Sequence, residues 1–267
     1  MSDFLNEIIE LKKKRLELAK AETPLAGLKR KAFAVRDKSA SHLLQKALMR
    51  TDRINIIAEI KRASPSKGVI NDKIDVTETA KNYERGGACA ISVLTEEDKF
   101  QGSLGDLKTA KNSVEIPILR KDFVFDEFQI YEAAASGADA VLLIAAMLDD
   151  KDLLNLYRLV EQELDLDVLL EVHTLEELER ATAINATIIG VNNRDLHSFA
   201  VSLDVSRELI NHAPKHSLLI AESGLQTRED ISEMKSLGFD GFLIGETLMK
   251  SGNAENELRK LTTDAHR

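Results

Sequence analysis

The sequence predicts an α/β fold, an eight-stranded parallel (β/α)8 TIM barrel with an N-terminal helical extension. Three observations carry that expectation. Short apolar runs of strand length recur at 56–60, 89–94, 116–119, 139–144, 168–172, 187–191, 217–221 and 241–244, separated by longer segments of helical period. These runs are apolar almost throughout rather than alternating, as strands covered on both faces of a parallel sheet must be. Finally, Gly86-Gly87-Ala88-Cys89, Gly137-Ala138-Asp139-Ala140 and Gly238-Phe239-Asp240-Gly241 each place a Gly where a helix would end, just ahead of a strand. Eight such units between residues 54 and 267 fit a closed barrel. The alternative, a doubly wound sheet, lacks the G-x-G-x-x-G that would follow its first strand.

In chain order, residues 3–20 read as a helix, with Leu5, Ile8, Ile9, Leu16 and Ala19 at helical spacing and Asp3 near its start. Its Lys12-Lys13-Lys14-Arg15 run is expected to form a solvated turn among neighbouring Glu residues. Thr23-Pro24 ends the helix, because the residue before a proline is pushed out of helical backbone. A second helical stretch runs near Ser39 to Met49, around Leu43, Leu44 and Leu48. Residues 1–53 thus form an extension, and 54–267 the barrel, in one structural domain overall. All the β/α units follow Ile56, so the barrel closes without the extension. The apolar face of helix 3–20 must nevertheless be buried. The rim at the C-terminal ends of the strands is where a cover would exclude water from charged groups, and we expect the extension across it.

Lys and Arg number 36 against 45 Asp and Glu, a formal net charge of −9. With aromatic residues at 4%, this balance excludes a general nucleic-acid binder, and positive charge for an anionic ligand must be gathered in a cleft. The single cysteine, Cys89, excludes an internal disulfide and fits a reducing compartment. It stands at the start of a strand and reads as a small buried core residue. No apolar run approaches the roughly 20 residues of a membrane span. The N-terminus lacks the apolar core of a signal peptide, and Glu7 and Glu10 argue against a transit peptide. The expected location is cytoplasmic, with neither membrane nor nucleic acid as partner.

A barrel of this kind places its chemistry at the C-terminal ends of its strands. The first strand runs Ile56-Ile57-Ala58-Glu59-Ile60-Lys61 into the loop Arg62-Ala63-Ser64-Pro65-Ser66-Lys67-Gly68. Side chains two apart share a face, so Glu59 and Lys61 point the same way. Burying both costs several kcal/mol each, on the order of the effective penalty for interior ions, unless they are paired. On this segment alone, a structural and a catalytic pair are both open. The third strand ends Arg120-Lys121-Asp122-Phe123, the fifth Glu171-Val172-His173, the sixth Asn192-Asn193-Arg194, the seventh Glu222-Ser223-Gly224 and the eighth Gly245-Glu246. So many polar ends on one rim imply a shared cavity, where lysines and carboxylates separate one another's pKa values. Gly224 and Gly245 allow close backbone approach ahead of helices, the common phosphate site of such barrels. Ser223 could add a donor there, and Lys61 and Arg194 positive charge; turn glycines are the alternative. His173 shares a face with Glu171 and reads as a base or a hydrogen-bonding support. His212 and His216 have metal-ligand spacing, but Pro214 between them spoils the helix that spacing needs, so no metal is expected.

These blocks together resemble the indole-3-glycerol phosphate synthase family, from about residue 20 to the end. The resemblance is carried by IIAEIKRASPSKG (56–68), FQGSLGDL (100–107), ILRKDF (118–123), LLEVH (169–173), GVNNRDL (190–196), AESGL (221–225) and FLIGETLM (242–249), in that order. It implies a carboxy-lyase of tryptophan biosynthesis. Such an enzyme closes the indole ring of 1-(2-carboxyphenylamino)-1-deoxyribulose 5-phosphate with loss of CO2 and water and needs no cofactor. By the same resemblance Lys121 is the principal general acid and Glu171 a catalytic carboxylate. Glu59 and Lys61 form a second acid-base pair, and Asn192 hydrogen-bonds the substrate. Ser64, Pro65, Phe100 and Phe123 surround the anthranilate portion. Arg194, Glu222, Ser223, Gly224, Gly245 and Glu246 bind the rest of the substrate and its phosphate. Glu246 stands where some members carry Ser, so only its backbone N–H is counted. A monomer is expected rather than a dimer. A phosphoribosylanthranilate isomerase-like barrel would carry Cys at the end of strand 1, where Glu59 and Lys61 stand here. A non-catalytic phosphosugar-binding barrel could keep Gly224 and Gly245 but has little reason to keep Lys121 and Glu171.

Overall fold

The computed structural model describes residues 3–262. Eight parallel strands close into a barrel: β1 (Asn55–Ile60), β2 (Ala90–Leu94), β3 (Ile118–Lys121), β4 (Ala140–Ile144), β5 (Asp167–Val172), β6 (Ile188–Asn192), β7 (Leu218–Glu222) and β8 (Gly241–Ile244). Each pairs with the strand before it, and β8 returns to β1 through Asn55↔Gly241 to Ala58↔Ile244. Every expected strand is present. The third starts later than its apolar run because Pro117 has no N–H for the ladder.

Ahead of the barrel come α1 (Asp3–Glu22), α2 (Leu25–Arg36) and α3 (Leu43–Leu48). Around it run α4 (Val76–Arg85), α5 (Leu104–Lys111), α6 (Glu127–Ala135), α7 (Asp150–Arg158), α8 (Leu175–Ala183), α9 (Asp204–Leu209), α10 (Arg228–Leu237), α11 (Glu246–Lys250) and α12 (Ala254–Thr262). Asp75, Ser103, Asp126, Asp149, Thr174 and Thr227 cap the helices that follow them, each side chain accepting a backbone N–H of the first turn. These caps fix where several of the rim loops end.

The extension runs the height of the barrel. α1 lies along the rim beside β2 and β3, where Lys12 Nζ meets Asp122 Oδ1 at 2.6 Å and Arg15 pairs with Glu97 and Asp98. Lys13, Lys14 and Arg15 are exposed as a solvated turn should be, but Lys12 is only 7% exposed, a correction to that expectation. It falls on the same helical stripe as Leu5, Ile8, Leu16 and Ala19, so the spacing that buries them turns its stem inward as well. α2 is a helix the sequence reading missed. Pro24 ends α1 but also opens α2, whose buried Leu28, Ala32 and Arg36 form the face of a helix packed on α6. α3 is shorter than Ser39 to Met49, because His42 takes a left-handed backbone (φ 49). At the foot of the barrel Asp167 Oδ2 accepts the N–H of Leu44 and Gln45 at 2.7 and 3.1 Å, capping α3 from β5. Asn55 Nδ2 donates to the carbonyls of Leu48, Arg50 and Asp240. Only α1 lies over the rim.

Candidate active site

A cavity of about 1010 Å³ opens at the C-terminal ends of the strands. Its floor is a layer contributed by alternate strands: Glu59 of β1, Lys121 of β3, Glu171 of β5 and Glu222 of β7. Such a layer is normally apolar; here it is entirely charged. Lys121 Nζ lies 2.8 Å from Glu171 Oε2 and 2.5 Å from Glu222 Oε2. Glu171 Oε1 accepts from Asn192 Nδ2 at 3.0 Å, and Lys61, just past β1, donates to Glu59 Oε2 at 2.5 Å.

Several carboxylates compete for one lysine. Burial alone would lower the Lys121 pKa, but Glu171, Glu222 and Glu59 hold it well above the usual ammonium range. Burial also opposes the charge of Glu171, yet Lys121 and His173 keep it far below the usual carboxylate range. Glu222 is left over. Burial first, then Glu171 and Glu59, push its carboxyl up to about 7 against the pull of Lys121. Its Oε1 has no hydrogen-bond partner among the described residues. The floor therefore holds a fixed cation, a fixed anion and a carboxyl able to exchange its proton near neutrality. Glu222, expected among the residues that bind the substrate and its phosphate, thus lines the cavity floor beside the lysine.

Two glycines make room for these carboxylates. A Cβ on Gly190 would lie 2.0 Å from Glu222 Oε1, and one on Gly245 would lie 2.3 Å from Glu59 Oε2. Gly245 thus serves Glu59 before it serves any ligand. Gly190 was missed, although a glycine inside an apolar strand is a signal of close approach.

One wall of the cavity is aromatic. Phe100 and Phe123 stand there with ring centroids 6.1 Å apart, and Ser64 and Pro65 line the loop after β1. Phe4 of α1 joins them edge-on, 6.2 Å from Phe123 and 5.1 Å from Phe199, which follows β6. Neither Phe4 nor Phe199 was expected, since both come from segments with no strand-end position to mark them.

The far side is cationic. Arg194 Nη2 and Lys67 Nζ each lie 3.9 Å from a Glu246 carboxylate oxygen, and Lys250 Nζ lies 2.6 Å away. Glu246 therefore presents its side chain, not only its N–H, and Lys250, Lys67 and Lys61 hold its carboxyl below the usual range. Ser223 and Gly224 adopt left-handed backbone (φ 63 and 81), turning the chain sharply after β7. α11 begins immediately after Gly245. α10 begins only at Arg228 and is already capped by Thr227 with Asp230, so Gly224 does not stand at a helix N-terminus as expected.

The family model for indole-3-glycerol phosphate synthase matches residues 5–261. The chain belongs to that family. A Legionella pneumophila (strain Paris) protein named indole-3-glycerol phosphate synthase is 44% identical over 265 residues, covering 99% of this chain and 100% of the relative. Proteins of the same name from Carboxydothermus hydrogenoformans and Aliarcobacter butzleri are 41% and 43% identical, covering 97% and 96% of this chain and 99% and 97% of the relatives. A solved thiamine phosphate pyrophosphorylase from Pyrococcus furiosus, with TM-score 0.60 and 18% identity, covers 82% of this chain and 95% of its own, and shares the fold alone. Indole-3-glycerol phosphate synthases are carboxy-lyases of tryptophan biosynthesis that act on a small phosphorylated substrate.

The remaining expectations fall outside this synthase site. His173 packs behind Glu171, Nε2 to Oε1 at 3.4 Å, and does not line the cavity. His212 and His216 are exposed on either side of Pro214. The one group of potential metal donors among the described residues is His42, Glu161 and Asp167, at the foot of the barrel. There His42 Nδ1 lies 3.1 Å from Asp167 and 3.5 Å from Glu161, a hydrogen-bonded joint between extension and barrel. Burial pushes the Cys89 thiol up to about 12, as befits an inert core residue. No described helix is long and apolar enough to cross a membrane.

Proposed function

We propose that the rim cavity performs the family's ring closure, converting 1-(2-carboxyphenylamino)-1-deoxyribulose 5-phosphate to indole-3-glycerol phosphate, with Lys121 as principal general acid. The observation that carries this reading is the Lys121 ammonium held between Glu171 and Glu222, with an aromatic wall on one side and cations on the other. The anthranilate ring stacks against Phe100 and Phe123 beside Ser64 and Pro65. The phosphate meets Arg194, Ser223, Gly224 and the N–H groups after Gly245, taking the place of the Glu246 carboxylate among the cations.

Lys121 gives a proton to the ketone oxygen as the ring carbon bearing the carboxylate attacks the carbonyl carbon. One C–C bond forms from a ring π pair, and the nitrogen lone pair moves toward the ring to leave an iminium. Loss of CO2 returns the C–C electron pair to the ring. The new hydroxyl then leaves as water, which needs a proton for the departing oxygen and a base for the neighbouring carbon. Glu59 with Lys61, and Glu171 oriented by Asn192, supply that acid and base. We further propose that the protein works as a cytoplasmic monomer, because one chain supplies every side chain of the cavity and its single cysteine is buried. The test is direct. Purified protein mixed with the substrate should give indole fluorescence without added metal or cofactor; no product under any condition would end this reading.

A further inference from the structure

We propose that His173 is a positioning residue, an imidazolium clamped by Glu177 that holds Glu171 ionised and aimed at the cavity floor. The inference rests on the reading of Glu171 as a catalytic carboxylate. His173 follows β5 directly, and Thr174 after it caps α8. Its Nδ1 shares a hydrogen bond with Glu177 Oε2 at 3.3 Å, while its buried Nε2 lies 3.4 Å from Glu171 Oε1, an ion-pair distance without hydrogen-bond geometry. The same Glu177 oxygen accepts the His173 backbone N–H at 2.7 Å, so ring and main chain share one anchor. A neutral imidazole can donate from only one nitrogen, leaving the other to accept. Here both nitrogens face carboxylates, which have nothing to donate when ionised. Either neutral tautomer turns a ring lone pair toward one of these carboxylates, whereas the doubly protonated ring presents an N–H and positive charge to both.

The surrounding charges agree. Lys121 of β3 and Glu222 of β7 approach Glu171 from the lumen, Asn192 of β6 is neutral, and Glu177 comes from α8. Arg180, also on α8, is engaged by Asp150 and by the carbonyls of Ala145 and Leu148. Burial would lower the imidazole pKa, but Glu171 and Glu177 raise it to about 10. Without that second cation, Glu171 would depend on the lysine it already shares with Glu222, and its own pKa would rise toward that of Glu222. A protonated Glu171 cannot act as a base.

The test compares wild type, His173→Gln, Glu177→Gln and, as reference, Glu171→Gln. Each is assayed on the carboxyphenylamino substrate from about pH 5 to pH 10, a range that spans the ordinary carboxyl and imidazole values. Glu171→Gln should lose turnover. His173→Gln should lower kcat about tenfold or more, part of the 10²–10⁴ range of an acid-base group, with KM changed less than about twofold. Its acid limb should move up by about one pH unit, a tenfold change in the ionisation equilibrium. Glu177→Gln, which keeps the ring, should move both in the same direction by less, and decides the matter should His173→Gln fail to fold. Nitrogen NMR of the wild-type ring should find both nitrogens protonated at about pH 8. A dead Glu171→Gln beside folded His173→Gln and Glu177→Gln variants with unchanged kcat and pH profile would overturn this inference alone, as would a neutral ring in the wild type. An active Glu171→Gln would overturn it together with the reading it rests on.

Discussion

Arg120, Lys121 and Asp122 are consecutive, buried and charged, yet they belong to two different constructions. Strand alternation sends Lys121 into the lumen and its neighbours outward, under the helices. On the outside every charge is answered. Asp122 accepts from Lys12, Thr95, Arg120 and its neighbour's N–H, and Arg120 also reaches Glu132 and the carbonyl of Gln129. Burial opposes the charge of Asp122, but Lys12 and Arg120 hold it well below the usual carboxylate range. Inside, Glu171 and Glu222 both lean on Lys121, an oxygen of Glu222 goes unpaired and its proton is held near neutrality. The contrast teaches that buried charge does not by itself mark a site. An unbalanced cluster facing a cavity does.

The comparison can be broken one residue at a time, and the largest effect should come from the inside. Lys121→Ala should lower kcat by about 10²–10⁴, the range of a general acid, while thermal unfolding shows a folded protein; wild-type turnover would remove Lys121 from the chemistry. The outside should behave in reverse. Asp122→Ala takes from buried Lys12 its ion pair and leaves Arg120 with Glu132 as its carboxylate partner, and should cost about 3–5 kcal/mol of stability by denaturant titration. Asp122 has a depressed folded pKa, so its contribution is present above the unfolded carboxyl value and lost as pH falls below about 4. The variant should lack that acid-sensitive component.

A smaller effect tests the glycine spaces. Gly190→Ala and Gly245→Ala should displace Glu222 and Glu59 and lower kcat about tenfold each, a fraction of an acid-base contribution. Phosphate inhibition of the Gly245 variant should change less than its kcat; the reverse order would return Gly245 to the phosphate site. The smallest effect has the opposite sign to that of Asp122. Glu222 has a raised folded pKa, so its ionisation in the fold costs stability as pH rises through about 7. Glu222→Gln should therefore be more stable than wild type at alkaline pH, by about 1 kcal/mol, and less active. A variant less stable there would show that Glu222 belongs with the satisfied cluster.

The barrel was legible because its strands are buried on both faces, so each apolar run reports itself without its neighbours. The floor was legible for the same reason: Glu59, Lys121, Glu171 and Glu222 stand out against Ile, Leu and Val. What those residues do to one another was not, since it depends on which strands alternate into one layer. The pairing of Glu222 with Lys121 was hidden for that reason, and the need for Gly190 appears only when Glu222 faces it. The extension was the least legible part. α2 buries only Leu28 and Ala32 of its apolar positions and leans on α6, while Lys12 looks solvated until Asp122, far along the chain, is brought to meet it. Phe4 likewise becomes part of a wall only once α1 has docked.

The reach of the extension also bears on the order of assembly during synthesis. Its residues are made first, yet Lys12 waits for Asp122, α2 for α6 and α3 for Asp167. A growing chain would hold α1 and α2 without these partners until about half of it had emerged, and α3 until Asp167 had followed, and the apolar stripe of α1 would meanwhile remain open to water or to other chains. Such distant pairings raise the average sequence separation of contacts, which slows folding. The strap that roofs the finished pocket is therefore, for much of the chain's synthesis, its most exposed segment.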